Sequence, residues 1–428
     1  MEKSEYRPRV VDKMLQRKLQ GKGAVLIEGA KWCGKTSTGE FHANSVVYMS
    51  DPKKKEDYLT YASISPDYIL NGPAPRLIDE WQDAPSLWDS IRHEVDHRRQ
   101  MGQFILTGSA VPAKKGDISH TGTGRFAWLK MRPMTLWESG DSNGSVSLGE
   151  LFAGNMPTIS RSEIDIQRLA FLVCRGGWPQ AVFFDDESIA LDQAFDYYDA
   201  VVHSDIQRAG EANFNPEIVK RLMRSYSRNQ GSQTPVAQIA ADMAVNENAA
   251  LSDKSVNTYI NSLRKIFVVE DMPAWKPNLR SKTAIRTSDT RYFVDPSIAT
   301  AALGFGPGDL LADLNTFGLL FETLCARDLR VFAESLDGGV YHYRDKKGLE
   351  CDAVVHLRNG SYGLIEIKLG GKKLIDEGAA TLNALAANID TTKMKTLSFK
   401  MVLTGVGEAA YKRAEDDVLV VPIGCLKN

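Results

Sequence analysis

Along the first about 140 residues, short apolar runs alternate with amphipathic stretches, the pattern of βαβ units and a parallel sheet. The runs AVLIEGA (24–30), SVVYMS (45–50), PRLIDE (75–80) and GQFILTGS (102–109) each end in polar or glycine residues. Each predicts a buried strand that delivers its C-terminal end to a site. Between the last two, Leu87, Trp88, Ile91 and Val95 recur at helical spacing.

From Ile164 to Ser227 the pattern turns helical, broken by RGGWP (Arg175 to Pro179), where glycines and proline force a turn. A helical pair follows, TPVAQIAADMA and SDKSVNTYINSLRKIFVVED. The second starts at the N-cap candidate Ser252 and places Val256, Tyr259, Ile260, Leu263 and Ile266 on one face. VVEDMPAW and RYFVDPSIA read as short strands around a polar, basic loop. After the glycine-rich break GFGPGD (304–309), LADLNTFGLLFETLCARDLRVF predicts a helix. VYHYRD, ECDAVVHLR and YGLIEIKLG predict three strands, with a tight RNGS turn between the last two. DEGAATLNALAANI reads as a helix, and KMVLTGV and VLVVPIG as closing strands of a small C-terminal α/β domain.

Composition narrows the class. A chain of 428 residues is too long for one ordinary core and suggests two to four domains. With 43% hydrophobic and 25% charged residues it is folded and soluble in character. The 52 basic residues against 54 acidic ones exclude a strongly cationic nucleic-acid binder, although not a local basic patch. Five scattered cysteines, Cys33, Cys174, Cys325, Cys351 and Cys425, support neither a disulfide framework nor a structural zinc site. The charged start MEKSEYRPRV lacks the apolar core of a signal peptide, and no run approaches a membrane span. A cytoplasmic protein without a membrane partner is expected.

Gly29-Ala30-Lys31-Trp32-Cys33-Gly34-Lys35-Thr36 fits G-x-x-x-x-G-K-[ST] without substitution, after an apolar strand and ahead of a helix. Its backbone N–H groups, continuing into Ser37, are expected to cradle the phosphates of ATP. Lys35 should reach the β- and γ-phosphates, and the Thr36 hydroxyl should ligate Mg2+. Downstream, Asp79 ends an apolar run and would hold the same ion, while Glu80 would polarise the attacking water as general base. Thr107 and Ser109 end the next strand, where a sensor of the γ-phosphate would sit. Arg125 is a candidate to complete the site, in cis or from a neighbour, against the reading of a surface arginine.

GAKWCGKT, PRLIDEWQ, FILTGSA and GRF…MRPMTLWES together resemble the prokaryotic AAA-type ATPases that carry a C-terminal domain of unknown function. The RGGWP turn, the helix and wing near 234–295, and FGLLFETLCARDLR followed by YHYRD…ECDAVV…LIEIK extend the resemblance over nearly the whole chain. The chain departs from the commoner Arg-x-x-Gly-Lys form of the loop at Trp32-Cys33, whose side chains should point away from the phosphates. The resemblance implies an α/β fold. An AAA-type P-loop NTPase parallel sheet with helices on both faces precedes a helical and winged-helix region and a small restriction-endonuclease-like domain. The implied boundaries are 1–163 for the ATPase core, 164–230 for a helical lid or linker, 231–303 for the winged helix and 304–428 for the last domain.

The resemblance also implies a PD-(D/E)xK-type site. Asp352 would lie on one strand, Glu366 and Lys368 on one face of the next, and Glu322 on the preceding helix. Asp352 and Glu366 would bind magnesium while Lys368 orients the attacking water. E-x-K alternation is also common on half-exposed strands, so a structural reading stands beside this one. Likewise, Lys254, Asn257, Asn261, Arg264 and Lys265 on the second helix of the pair, with Lys276, Arg280, Lys282, Arg286 and Arg291, are either DNA contacts or a solvated face. Two functions follow. One is an ATPase switch controlling a DNA-binding or nuclease-like module. The other is a signal-transducing ATPase that meets a protein partner, alone or as an oligomer, with an inactive C-terminal module.

Overall fold

The computed structural model describes residues 6–108, 122–155, 159–209, 213–244, 251–280 and 284–428. The chain divides into two compact units. The first comprises residues 1–133, 204–213 and 262–267, the second residues 134–203, 214–261 and 268–428.

The first unit is built on a parallel sheet of β1 (Ala24–Glu28), β2 (Ser45–Tyr48), β3 (Arg76–Asp79), β4 (Phe104–Gly108) and β5 (Phe126–Lys130), in the order β2-β3-β4-β1-β5. The first four strands lie where the apolar runs placed them; β5 had no such signal. Buried on both faces, these strands carry unbroken apolar runs rather than alternation. The helix Leu87–Arg98 lays Leu87, Trp88, Ile91 and Val95 on one face, against Leu26, Ile78 and Leu106. Val11–Gly21 and Lys35–His42 also flank the sheet, and Gly39 lets the latter come down onto the Leu77 side chain.

In the second unit the helices Ile166–Arg175, Glu187–His203, Pro216–Arg228 and Pro296–Leu303 pack together. They precede a mixed sheet. Its strands are β7 (Ser160–Arg161), β8 (Gly338–Arg344), β9 (Glu350–Leu357), β10 (Tyr362–Lys368), β11 (Phe399–Thr404), β12 (Ala409–Lys412) and β13 (Leu419–Pro422). Their order is β7-β12-β13-β11-β10-β9-β8. β8, β9 and β10 form an antiparallel meander, and the helix Lys372–Asn388 crosses over to β11, which lies parallel to β10. The helix Leu314–Ser335 packs along β8–β10.

Residues 134–163 lie in the second unit rather than with the segment before them. The cause is pairing between distant segments. β6 (Val146–Ser147) pairs with β14 (Leu426–Lys427), and β7 pairs with β12. The winged region differs from expectation in the same way. VVEDMPAW meets the segment 290–293 through the isolated bridges Val269↔Phe293 and Met272↔Thr290. PSIA begins the helix Pro296–Leu303, because Asp295 caps it at the N–H of Ser297 and Pro296 sits at its first turn. The basic loop is docked on the sheet by the bridges Ala274↔His342, Ile285↔Asp345 and Leu279↔Ile389. Ser252 does cap its helix, Asp253–Lys265, accepting from the N–H of Ser255 at 3.2 Å.

At the centre of this unit lies Arg327, 1% exposed, between two buried carboxylates. Its guanidinium meets Asp295 and Asp328, each at 2.8 Å. The acids are held further: the second oxygen of Asp328 takes the N–H of Leu136 at 2.9 Å, and Asp295 takes the N–H of Gly177 at 2.9 Å on the oxygen facing Arg327 and the N–H of Ser297 at 3.0 Å on the other. Removing one partner of a buried ionic cluster leaves uncompensated charge, at a cost of about 3–5 kcal/mol. Arg327→Met is therefore expected to lower the unfolding free energy by about that amount, read as a fall in the denaturation midpoint.

Candidate functional site

The loop that leaves β1 at Glu28 owes its path to two glycines. A Cβ on Gly29 would stand 2.0 Å from the Met131 carbonyl oxygen, so only glycine fits there. Gly34, at φ 103°, takes a left-handed turn that opens the helix Lys35–His42. Trp32 is also left-handed (φ 62°) without glycine's freedom, and its indole is 49% exposed. Such strain persists where the surroundings impose it, commonly at functional sites. The neighbouring Cys33 is buried, with its Sγ 3.5 Å from the Met131 carbonyl oxygen.

Lys35 is buried, and its Nζ donates to the carbonyls of Gly29 at 2.9 Å and Ala30 at 2.8 Å. The Thr36 hydroxyl donates to Asp79 Oδ1 at 2.7 Å. Thr107 donates to the same oxygen at 2.6 Å, since the register of β3 and β4 sets Thr107 beside Asp79. β4 thus lies between the loop strand and the carboxylate strand, and the end of β4 and the first turn of the helix Lys35–His42 converge on Asp79. Glu80 follows in the left-handed region (φ 55°), its carboxylate accepting from the Gln82 amide. Burial raises its pKa, with Asp79 adding to the effect and Gln82 and Lys35 opposing it. Ser37 is half-buried in the helix's first turn; Ser109 lies outside the described residues. An ammonium, helix N–H groups, a hydroxyl and a carboxylate are the donor set that phosphates and Mg2+ require, so the residues fit ATP with that ion.

Arg125 departs from expectation. It precedes β5, its carbonyl accepting from the Ala24 N–H at 3.2 Å. The phosphate loop starts four residues further along β1, roughly 13 Å away at the strand rise. Arg125 instead pairs with Asp96 at 2.9 Å on the exposed opposite edge, so it cannot complete its own chain's site. Two residues that belong to no motif do touch the loop. Arg9, buried, donates to the carbonyls of Cys33 and Arg132, both at 2.9 Å. Asp205 takes the ammonium of Lys31. Neither contact has a local signal, because its partners lie 24 to 174 residues apart.

The second unit gathers the other candidate group. β9 carries one extra residue opposite β8, with Tyr341 paired to Val354 and Tyr343 to Cys351. Such a bulge re-aims a side chain, here at Asp352. Lys368 places its ammonium between Asp352, at 3.0 Å, and Glu366, at 2.7 Å. Asp352 also accepts the Ile367 N–H at 2.7 Å. Glu366 is 3% exposed, and its Oε1 has no hydrogen-bond partner. Burial raises Glu366 well above the usual carboxylate range, with Asp352 adding to it. Glu322 accepts from the Tyr292 hydroxyl, and burial, then Asp352, pushes it up to about 8. Burial opposes the charge on Lys368, yet Asp352 and Glu366 hold its pKa above normal. All four expected residues are thus neighbours. No group of three or more His, Cys, Asp or Glu side chains among the described residues is poised as a metal site. The expected set narrows because Lys368 occupies the space between two of the acids and Tyr292 engages the third. Cys351 is buried in the core.

Of the basic positions, Lys254, Asn257, Asn261 and Lys265 are exposed and Arg264 is half-buried. Arg291 is withdrawn into an ion pair with Asp271 at 2.8 Å, a correction to its place among the DNA contacts. Arg280 donates to Thr391 at 3.2 Å, Arg286 is anchored through its N–H to the Arg344 carbonyl, and Lys282 lies outside the described residues. Lys276 joins Lys393 and Lys395 on the rim of a cavity of about 670 Å³ whose wall includes Trp275, Tyr341 and His356.

Residues 21–139 match the family model of an AAA domain. Residues 166–309 and 317–426 match two domains of unknown function, DUF8612 and DUF4143. An uncharacterized protein of Mycobacterium bovis and one of Mycobacterium tuberculosis are each 22% identical over 83% of this chain and 72% of their own length. The Walker-type ATPase PABY2304 of Pyrococcus abyssi aligns over 70% of this chain and 96% of its own at 12% identity, with a TM-score of 0.45. The chain therefore carries an AAA-type P-loop fold in its first unit and an α/β region at its C-terminus. No helix among the described residues is long and apolar enough to cross a membrane.

Arg9 fixes the outer wall of the loop through two carbonyls that its planar fork reaches together. Arg9→Met is expected to weaken nucleotide binding about tenfold, equivalent to the loss of one charge-assisted contact of about 1.4 kcal/mol. Titration calorimetry checks this, with circular dichroism as the control for folding.

Proposed function

We propose that this protein binds ATP with Mg2+, hydrolyses it, and uses its nucleotide state to control a nucleic-acid-binding or nuclease-like second half. The observation that carries the ATPase reading is the convergence of Thr36 and Thr107 on Asp79, beside a glycine-shaped phosphate loop. Thr36 and Asp79 would hold Mg2+, whose charge would offset that of the phosphates. Lys35 would leave the carbonyls of Gly29 and Ala30 for the phosphates, exchanging one set of acceptors for a more strongly charged one. Glu80 accepts a proton from the attacking water; its raised pKa makes it a better base than an ordinary carboxylate. Thr107 would report the γ-phosphate to β4. Arg125 takes no part in its own chain's mechanism and is available to a neighbouring copy in an oligomer.

Lys35→Ala is expected to abolish nucleotide binding, whereas Glu80→Gln should keep ATP bound and cut turnover by about 10²–10⁴. Hydrolysis persisting in Lys35→Ala would show the assignment to be wrong.

For the second half, the helix–meander–helix–strand order around Asp352, Glu366 and Lys368 supports a nuclease-like reading. So does the unpartnered Glu366 Oε1, which suits a divalent cation. The exposed Lys254 face and the lysine-rimmed cavity support contact with phosphates. A second reading, an ATPase switch that meets a protein partner, is favoured by one observation: the Lys368 ammonium already neutralises both carboxylates. The two separate in a plasmid assay with Mg2+ and ATP. Cutting that disappears in Asp352→Asn supports the first, as does binding without cutting. No DNA binding in any nucleotide state leaves only the second.

A further inference from the structure

The ion pair between Lys31 and Asp205 joins the phosphate loop to a segment 174 residues away. Asp205 opens the short turn Asp205–Ala209, anchored in the first unit by buried Ile206 and Ala209. The helices on either side of that turn, Glu187–His203 and Pro216–Arg228, belong to the second unit. One piece of the second unit's sequence is thus carried into the first, and it is held at the loop by a charge.

We propose that Lys31 is the residue that discriminates ATP from ADP and that Asp205 is its positioning partner. This rests on the ATP-binding reading of the loop. A lysine ammonium rides on a flexible four-carbon stem and behaves as a point charge, free to exchange one acceptor for another nearby. Its side chain is 31% exposed here, against 9% for Asp205, so the ammonium can leave while the carboxylate stays enclosed. A γ-phosphate carries roughly twice the charge of a carboxylate, and Coulomb attraction scales with that charge at equal distance. The terminal phosphate of ADP carries a similar charge, so the discrimination rests on position: ATP brings that charge one phosphate further out, within reach of Lys31, and draws the ammonium off Asp205, whereas ADP leaves the pair intact. Once Lys31 departs, Asp205 is an enclosed charge without its cation. The turn it opens loosens, and the change passes along the chain to the two helices.

Calorimetric titration with ADP and a non-hydrolysable ATP analogue tests this, alongside hydrogen–deuterium exchange of the peptide spanning Asp205–Ala209. Lys31→Gln is expected to weaken the analogue about tenfold and to leave ADP within about twofold. Asp205→Asn should do the reverse, tightening the analogue about fivefold without changing ADP, and Asp205→Glu should restore wild-type discrimination. In the wild type, exchange in the turn should be faster with the analogue than with ADP. In Asp205→Asn it should be equally fast with both. Equal effects of Lys31→Gln on both nucleotides, or exchange indifferent to the nucleotide, overturns the proposal. A wild-type protein that binds neither nucleotide overturns the ATP-binding reading instead. If Asp205→Asn does not fold, Lys31→Gln and wild-type exchange still decide.

Discussion

Arg327 is the residue on which the second unit turns. A guanidinium removed from water costs several kcal/mol unless its charge and its hydrogen-bonding edges are met. Here Asp295 and Asp328 meet them from opposite sides. Each acid must satisfy its remaining oxygen, and the backbone of Leu136 does so for Asp328 and Ser297 for Asp295, while the Gly177 N–H shares the Asp295 oxygen that faces Arg327. The Trp178 indole then reaches Ser297 at 2.9 Å, and the Met134 N–H reaches the Gly177 carbonyl. Four stretches, near residues 134, 177, 296 and 327, are fixed by one cation. That explains why the two regions of unknown function pack as one body rather than as successive domains. It also explains the RGGWP turn: its glycines admit the backbone to acceptors that any side chain would block, a Cβ on Gly177 standing 2.1 Å from the Met134 oxygen.

In the first unit a single carboxylate plays the comparable part with the opposite purpose. Asp79 accepts two hydroxyls, and both are groups that a bound cation and phosphate can recruit. Lys35 is likewise satisfied by loop carbonyls, contacts it can give up without leaving a charge buried and alone once phosphates arrive. The strain held at Trp32 and Glu80 lies on the same edge, beside glycine positions rather than in the packed core. Stability is concentrated in the sheet and its flanking helices, and adaptability in the loops at its C-terminal edge.

The carboxylate group in the second unit shows the limits of a motif. Burial favours protonation of Glu322 and Glu366, while Lys368 favours their ionised forms. The cluster therefore holds one ammonium among acids that burial would otherwise protonate. A group outside the motif, Tyr292, engages Glu322 as well.

The sequence by itself determined the phosphate loop, four of the five strands around it, the Asp79-Glu80 pair and the cap at Ser252. These are local signals. Buried parallel strands need unbroken apolar runs, and a phosphate loop needs glycines and a lysine at fixed spacing. The alternation that put Glu366 and Lys368 on one face was equally readable, because a strand's period is two. Only the tertiary structure decided that Arg125 lies at the far edge, that Arg291 is spent on Asp271, and that Tyr292 meets Glu322. It alone decided that Arg9 and Asp205 attend the loop and that the first unit takes in residues 204–213 and 262–267. Each depends on contacts between residues far apart in the chain, through strand order, buried charge pairing or edge strands such as β6 and β7. A buried ion must find its counter-ion wherever the fold brings one, and no local spacing records which one that is.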